Sequence, residues 1–240
     1  MMQGWNRDAV RFMQDASEYG SHYELLADEL MRWLPRNGHV CDAGCGLGYL
    51  SQALARRCRR VTAVDRSEAA ISALKERNPA KNIDIHCADV FQLRPEPPYD
   101  AMTFCYFGRT QEVLRTAKRQ CSGPVVMVKR DCNEHRFSVL QKTQIHRDVR
   151  TAAEELLQNL GIPFQSERLE LEFGQPFRSF EDALAFYRLY NPDREISPQW
   201  VSERLTRTGR SDFPLYLPET RRMAILVFET KNIPPEESLK

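Results

Sequence analysis

Between residues 39 and 130, short apolar segments alternate with segments of helical periodicity, and this alternation constrains the fold more than any other feature of the chain. The apolar segments have the length and the apolar character of buried strands. They read HVCDA, VTAVD, IDIHCADVF (a strand followed by a turn), DAMTFCYF and PVVMVKR. Strands that alternate with helices are typical of a parallel sheet with right-handed crossovers and helices on both faces. We therefore predict an α/β fold with a doubly wound, mostly parallel sheet.

The regions outside this alternation predict additions to the sheet. The chain up to residue 34 has helical periodicity, and residues 166–173 and 222–230 read as two late strands. No simple crossover joins them, so we predict an antiparallel last strand in a seven-stranded sheet. The predicted parts of one compact domain are an N-terminal helical cap (1–38), a core (39–174 and 221–231) and a helical, lid-like insertion (175–220).

The charge balance gives no reason to expect a polyanionic partner. The net charge is +1, from 34 basic and 33 acidic residues, so we do not expect nucleic acid. No apolar run reaches the ~20 residues of a membrane span, and the N-terminal residues lack the apolar stretch of a signal peptide. We expect a cytoplasmic protein that does not bind membranes, and whether it is a monomer or a homodimer stays open.

Cysteine spacing argues against a disulfide framework and against zinc. The seven cysteines are odd in number, and no two of them form a C-x-x-C pair. Both features disfavour structural bridges and metal sites in a chain of this length. We predict reduced cysteines and no metal.

The stretch CDAGCGLG at residues 41–48 predicts a ligand site between the first strand and the first helix. Glycines let backbone N–H groups at a helix start approach polar ligand atoms, and this turn lies where doubly wound sheets bind ligands. Two familiar glycine loops do not fit. No lysine-serine or lysine-threonine pair follows Gly48, and Tyr49 stands where the dinucleotide fingerprint needs glycine or alanine. The pattern that remains is D-x-G-x-G-x-G.

Acidic residues close the next two strands. Asp65 ends the second strand, where a carboxylate can accept hydrogen bonds from both hydroxyls of a ribose. Asp89 follows the third strand, where it can accept from the amino group of an adenine while the N–H of Val90 reaches a ring nitrogen. With Asp42, three aspartates lie at successive strand ends, in the order that an adenosine ligand needs.

These segments resemble the class I S-adenosylmethionine-dependent methyltransferases. The matching stretches are VCDAGCGLGYLS, VTAVDRS, IHCADVF and YDAMTFCYF. The resemblance covers residues 39–131 by motif and the remainder by element order. It implies a Rossmann-like core, S-adenosylmethionine as cofactor and S-adenosylhomocysteine as its product.

The resemblance also implies roles for individual residues. The glycine loop would flank the methionine portion and Asp42 would orient it, while Asp65 would hold the ribose and Asp89 the adenine. Arg66 would lie along the adenine face or be a solvated arginine, and both interpretations stay open. The implied cofactor-binding residues are Asp42, Gly44, Cys45, Gly46, Gly48, Asp65, Arg66, Asp89, Val90 and Cys105.

Methyl transfer is an in-line displacement that depends on positioning, and only some acceptors need a general base. The resemblance therefore requires no particular catalytic residue. Three candidates lie on segments expected to ring the pocket: Tyr106 after the fourth strand, His135 after the fifth, and Tyr19 before the first. CYFG stands where family members that methylate nucleobase amino groups often carry N/D-P-P-Y/F, which counts against that chemistry.

The leading hypothesis is a methyltransferase acting on a small molecule, because the insertion is lid-like and the charge is balanced. Methylation of a protein or RNA is the first alternative. A domain that binds the cofactor without catalysis is the second. The run RRCRR at residues 56–60 is interpreted as a solvated helix end, where cations favour the helix dipole, rather than as a nucleic-acid patch.

Overall fold

The computed structural model describes residues 6–77, 80–131 and 149–239. The helices are α1 (Arg7–Tyr19), α2 (His22–Leu30), α3 (Tyr49–Ala55), α4 (Glu68–Arg77), α5 (Thr110–Gln120), α6 (Arg150–Asn159), α7 (Phe180–Tyr190) and α8 (Pro198–Ser202). The strands are β1 (His39–Ala43), β2 (Arg60–Asp65), β3 (Ile83–Cys87), β4 (Ala101–Cys105), β5 (Pro124–Arg130), β6 (Phe164–Glu172), β7 (Gln175–Phe177), β8 (Thr206–Arg207), β9 (Leu215–Leu217) and β10 (Thr220–Glu229). Each of these helices is too short or too polar to cross a bilayer.

The main sheet confirms the predicted fold class. Its seven strands lie in the order β3-β2-β1-β4-β5-β10-β6. The strands β1 to β5 pair in parallel, and β10 runs antiparallel to β5. Because β1 lies between β2 and β4, the strand order reverses at β1. This reversal opens a crevice at the carboxyl ends of these strands, which is where doubly wound sheets bind ligands.

The helices differ from their predicted bounds where a local contact ends them. The helical pattern up to residue 34 is broken at Gly20, between α1 and α2. The predicted helix from Tyr49 to Arg60 stops at Ala55. The side-chain amide of Asn82 donates to the carbonyl oxygens of Ala55 and Cys58, which fixes the turn before β2. The predicted helix over 138–160 is observed as α6, and residues 138–148 lie outside the described residues.

The chain divides into two compact units. A sheet unit comprises residues 23–132, 148–169 and 222–240, and an insertion unit comprises residues 1–22, 133–147 and 170–221. Helix α1 thus belongs to the same unit as the insertion. The three-part division with boundaries near residues 38, 174 and 221, and the lid-like role of the insertion, stay predictions.

The insertion unit holds strands that the sequence did not predict. Besides α7 and α8 it contains a small antiparallel sheet in the order β7-β9-β8. Strands of two or three residues are too short to show periodicity, so only tertiary pairing reveals them. The unit has its own apolar core, formed by Phe12, Phe177, Ala183, Phe186, Tyr187, Ile196, Val201 and Leu217.

Phe186 is the centre of that core, and its truncation should destabilise the insertion unit. The side chain is 1% exposed, and its ring centroid lies 5.1 Å from Phe12 and 5.4 Å from Phe177. Because the cavity would be buried, Phe186→Ala should lower the free energy of unfolding by about 3–5 kcal/mol. Amide hydrogen exchange in α7 measures this loss. Leu25→Ala is the control, since Leu25 is 49% exposed; equal exchange in both variants would contradict the assignment.

Candidate cofactor site

The loop after β1 needs glycine at two positions. Gly44 has φ +71° and Gly48 has φ +74°, in the left-handed region that side chains disfavour. A Cβ on Gly44 would lie 2.1 Å from the ring of Phe107, and one on Gly48 would lie 2.3 Å from Leu74. The loop after β4 therefore packs directly on the glycine loop, at the edge where the sheet order reverses.

Hydrogen bonds to the end of β2 hold the glycine loop in place. The N–H groups of Gly44 and Cys45 donate to the carbonyl oxygen of Val64, at 2.8 and 3.0 Å. The N–H of Gly46 donates to Oδ2 of Asp65 at 2.9 Å. The strained loop and the acidic residue of β2 are thus parts of one hydrogen-bonded structure.

Asp65 connects three loops. Its Oδ1 accepts the N–H of Ser67 at 2.9 Å, and its backbone oxygen accepts the N–H of Ala88 at 3.0 Å. Each carboxylate oxygen that accepts one backbone N–H keeps a lone pair for a second donor. Asp65 is therefore able to hold the loops after β1 and β2 while still accepting hydrogen bonds from a ligand.

Asp89 caps the short 3-10 helix that follows β3. Its Oδ1 accepts the N–H of Phe91 at 3.0 Å, and its Oδ2 accepts from the side-chain amide of Gln92 at 3.1 Å. The next residue, Val90, is buried. From α5, the side-chain amide of Gln120 donates to the carbonyl oxygen of Val90 at 2.7 Å. The segment is thus fixed from both sides.

A cavity of about 330 Å³ lies at this edge of the sheet. Its volume falls in the range of small-molecule and cofactor sites, roughly 300–1,000 Å³. Four of the predicted cofactor-binding residues, Asp65, Arg66, Asp89 and Val90, line it together. The complete lining is Val64, Asp65, Arg66, Ala88, Asp89, Val90, Phe91, Phe107, Gly108, Arg109 and Glu112.

Sequence reasoning missed Phe91 and the residues that the start of α5 brings to this cavity. Phe91 and Phe107 stack with ring centroids 5.4 Å apart and planes at 10°. Arg109 and Glu112, at the start of α5, line the cavity as well. Lys129 is 3% exposed, and its ammonium donates to the carbonyl oxygen of Gly108 at 2.9 Å. The signal available in the sequence was the aromatic residue that follows the motif of the third strand and the one that follows the fourth strand.

Asp42 lies inside the protein. It is 1% exposed, its Oδ2 accepts from the hydroxyl of Ser51 at 2.6 Å, and its Oδ1 accepts from the hydroxyl of Thr103 at 3.3 Å. Burial raises the pKa of Asp42 to about 6, against the opposing effect of the two hydroxyl donors, and the charge of Asp65 raises it further. The carboxylate ties β1 to α3 and to β4. Asp42 comes just before the glycine loop in the sequence.

Tyr106 follows β4 with φ +55°, which is uncommon for an aromatic residue and concentrates at functional sites. Its N–H donates to the carbonyl oxygen of Val128 at 2.9 Å, and its hydroxyl donates to the sulfur of Met223 at 3.5 Å. The guanidinium of Arg130 lies 5.7 Å from the ring centroid. Cys105, the residue before it, is half-buried at the end of β4.

Two further catalytic candidates, Tyr19 and His135, stay predictions. Tyr19 belongs to the insertion unit, where its ring stacks on Tyr216 at 5.0 Å and meets the edge of Phe213 at 5.9 Å. His135 lies outside the described residues. No group of three or more His, Cys, Asp or Glu side chains suited to a metal is present in residues 6–77, 80–131 and 149–239.

Comparison with known proteins finds similarity to methyltransferases. A family model described as a methyltransferase domain matches residues 40–124. The malonyl-[acyl-carrier protein] O-methyltransferase of Bacillus cereus is 26% identical over 173 residues, covering 70% of this chain and 59% of the relative. The protein of the same name from Bacillus anthracis is 24% identical over 215 residues, covering 86% of this chain and 74% of the relative. Over these ranges the chain is thus similar to methyltransferases.

A solved structure supports the same fold. The N-methyltransferase NodS from Bradyrhizobium japonicum, in complex with S-adenosyl-L-homocysteine, has a TM-score of 0.52 at 15% identity, covering 93% of this chain and 92% of that chain. At this identity the likeness shows the fold alone. The match to the Bacillus cereus relative spans less than two thirds of that protein's length.

The residues of this site fit S-adenosylmethionine, the cofactor that the sequence resemblance implies. The absence of a Cβ at Gly44 and Gly48 lets Phe107 and Leu74 pack against the glycine loop and fix its shape. The adjoining cavity has carboxylates at Asp65 and Asp89 for the hydroxyl and amino donors of an adenosine. The aromatic rings of Phe91 and Phe107 supply apolar surface at the same edge.

Replacing Gly44 by alanine should disrupt cofactor binding because the new methyl group would collide with Phe107. We expect Gly44→Ala to weaken binding of S-adenosylhomocysteine at least tenfold, measured by calorimetric titration. The double variant Gly44→Ala/Phe107→Ala should recover part of the affinity, as neighbouring sites are not additive. Gly161→Ala is the matched control: Gly161 has φ +66° with no atom within 4 Å. Unchanged affinity in Gly44→Ala would contradict the packing argument.

The raised pKa of Asp42 predicts a pH dependence of stability. The folded state binds this proton more tightly than the unfolded state, because the pKa of Asp42 rises from 3.8 to about 6 on folding. The contribution of Asp42 is therefore largest below pH 4 and is lost as pH rises through about 6, by about 3 kcal/mol in total. Asp42→Asn removes this contribution. The free energy of unfolding of the variant, relative to wild type, should rise between pH 4 and pH 7; a constant difference would contradict the burial argument.

Proposed function

We propose that the protein transfers the methyl group of S-adenosylmethionine to a nucleophile on a small molecule. The observation that carries this proposal concerns Asp65. Its carboxylate accepts a hydrogen bond from the glycine loop, and the same residue lines the adjoining cavity. The match to a methyltransferase domain and the two relatives support the reaction class. The protein is proposed to act in the cytoplasm, and its oligomeric state stays open.

We assign the proposed roles by position at the sheet edge. Asp65 would accept from the ribose hydroxyls, and Asp89 with the N–H of Val90 would hold the adenine. Arg66 is exposed on the cavity rim, where its guanidinium would lie along the adenine face. The glycine loop with Cys45, supported by Asp42 and adjoined by Cys105, would hold the methionine end.

When bound, the cofactor supplies an electrophilic methyl group on a sulfonium. The residues of the chain orient the acceptor and exclude water, which strengthens positioning effects at the reacting atoms. The hydroxyl of Tyr106 is engaged by the sulfur of Met223, so we propose Tyr106 as a wall of the acceptor site, held by its backbone. Tyr19 and His135 stay candidates for contacts with the acceptor.

A carboxylate is the acceptor that we propose more specifically. Two relatives are named as O-methyltransferases of malonyl-[acyl-carrier protein]. A carboxylate is ionised at neutral pH and needs no general base, unlike an alcohol or an ammonium group. Arg130 ends β5 beside Tyr106 and would supply a cation for the free carboxylate of a malonyl thioester.

Calorimetric titration and a product assay test the proposal together. S-adenosylmethionine and S-adenosylhomocysteine should bind with micromolar affinity while NAD does not. With methyl-labelled cofactor, a malonyl thioester of N-acetylcysteamine should become labelled as a base-labile ester. Asp65→Asn should weaken cofactor binding severalfold or more, and Asp28→Asn, in a surface ion pair with Arg57, should not.

Each other outcome points to a different conclusion. Cofactor binding with label transferred only to protein or RNA would favour the first alternative. Binding without transfer to any acceptor would favour a non-catalytic cofactor-binding domain. No binding by folded protein would overturn the proposed function.

A further inference from the structure

A second cavity, of about 540 Å³, lies at the opposite edge of the sheet. It is lined by residues at or near the amino ends of successive strands, including His39 of β1, Arg60 of β2 and Asp84 of β3. Parallel strands place their amino ends together, so this edge is remote from the carboxyl edge that carries the glycine loop. The two cavities share no lining residue. The proposed function leaves this second cavity unused.

One side of the cavity is apolar. The segment between the 3-10 helix and β4 contributes Leu93, Pro95, Pro97, Pro98 and Tyr99 to the lining. Tyr99 is 5% exposed, and the edge of its ring meets His39 at 5.1 Å. Proline rings have little conformational entropy to lose, so this wall is already ordered for an apolar group.

Three arginines also line the cavity, and the basic run at residues 56–60 supplies two of them. Arg57 lies away from the cavity, bound to Glu24 at 2.8 Å and to Asp28 at 2.7 Å. Arg59 and Arg60 line the cavity instead. The run is thus divided between an ion-pair network and the lining of this cavity.

The acidic groups that line the cavity are largely engaged. Asp84 forms an ion pair with Arg60, and Asp100 accepts the backbone N–H of His39 at 2.7 Å. Glu96 is the third carboxylate of the lining, and His39 and His86 are its imidazoles. Burial and the charge of Arg60 lower the pKa of His39, which keeps that ring neutral at pH 7.

Two guanidinium groups remain for a ligand. Within the described parts of the chain, neither Arg59 nor Arg94 has a carboxylate within ion-pair distance; one N–H of Arg94 donates to the carbonyl oxygen of Leu93. A smaller depression that shares Arg59 and Arg60 adds the ammonium of Lys81 to the same edge. The planar fork of a guanidinium matches the paired oxygens of carboxylates and phosphates.

We propose that this amino-edge cavity is a second binding site, for a small organic anion. The carboxylate or phosphate of the ligand binds at Arg59 and Arg94, and its apolar body lies against the proline wall that ends at Tyr99. The volume suits a molecule of this size. A hydrophobic cation is disfavoured by the two guanidinium groups, and a bare inorganic anion would leave the apolar wall unused.

Nuclear magnetic resonance of the full-length, isotope-labelled protein tests the proposal, with S-adenosylhomocysteine present at saturation to occupy the carboxyl edge. Phenyl phosphate and benzoate are the anionic probes, and benzyl alcohol is the neutral control. The probes should shift the amide signals of His39, Arg60, His86 and Tyr99. Phosphate and carboxylate ligands are distinguished by which probe binds more tightly. Benzyl alcohol should bind at least tenfold more weakly than both.

The double variant Arg59→Gln/Arg94→Gln should weaken binding of the better probe at least tenfold while leaving binding of S-adenosylhomocysteine unchanged. Arg207→Gln, an exposed arginine of β8, is the matched control and should bind the probe as the wild type does. The proposal is overturned if these amides do not shift up to about 10 mM probe, an affinity near −3 kcal/mol. It is equally overturned if the double variant binds the probe as tightly as the wild type does. The same holds if benzyl alcohol binds the wild type as tightly as the anionic probes do. The readout does not depend on methyl transfer, and probe shifts at the amino edge remain interpretable even if S-adenosylhomocysteine does not bind.

Discussion

The carboxylate of Asp65 is the contact on which the cofactor site depends. It accepts the N–H of Gly46 at one oxygen and the N–H of Ser67 at the other. A loop with three left-handed glycines is costly in conformational entropy and does not hold its shape alone. Two charge-assisted hydrogen bonds from a strand end provide that constraint. The same atoms face the cavity, so the group that shapes the loop is also placed to meet a ligand.

Around this contact, the protein uses buried polar groups to fix loops rather than to face solvent. Asp42 binds the hydroxyls of Ser51 and Thr103, and the ammonium of Lys129 binds the carbonyl of Gly108. Buried polar groups are costly unless their hydrogen bonds are satisfied, and satisfied ones specify one arrangement. These hydrogen bonds thus fix the loops at the carboxyl edge of the sheet. The amino edge, by contrast, presents two guanidinium groups to an open cavity.

The fold is shared widely, whereas ligand contacts depend on what is added to the sheet. The likeness to NodS reaches a TM-score of 0.52 at only 15% identity. Such a fold supports many acceptors, because substrate contacts come from loops and insertions rather than from the sheet. In this chain the insertion forms a unit with its own aromatic core and its own small sheet. A separate core lets such a unit vary without disturbing the glycine loop.

The sequence alone determined the strand–helix alternation, the antiparallel last strand and the positions of Asp65 and Asp89, because periodicity and strand-end motifs are local properties. It also predicted the glycine loop, since left-handed backbone is a requirement of individual residues. Only the tertiary structure decided that Phe91, Phe107 and Glu112 line the same cavity. It also decided that strands as short as Thr206–Arg207 pair. It divided the basic run at residues 56–60 between an ion-pair network and the amino edge of the sheet. These features depend on side chains brought together from distant segments, and no local pattern encodes which of them meet.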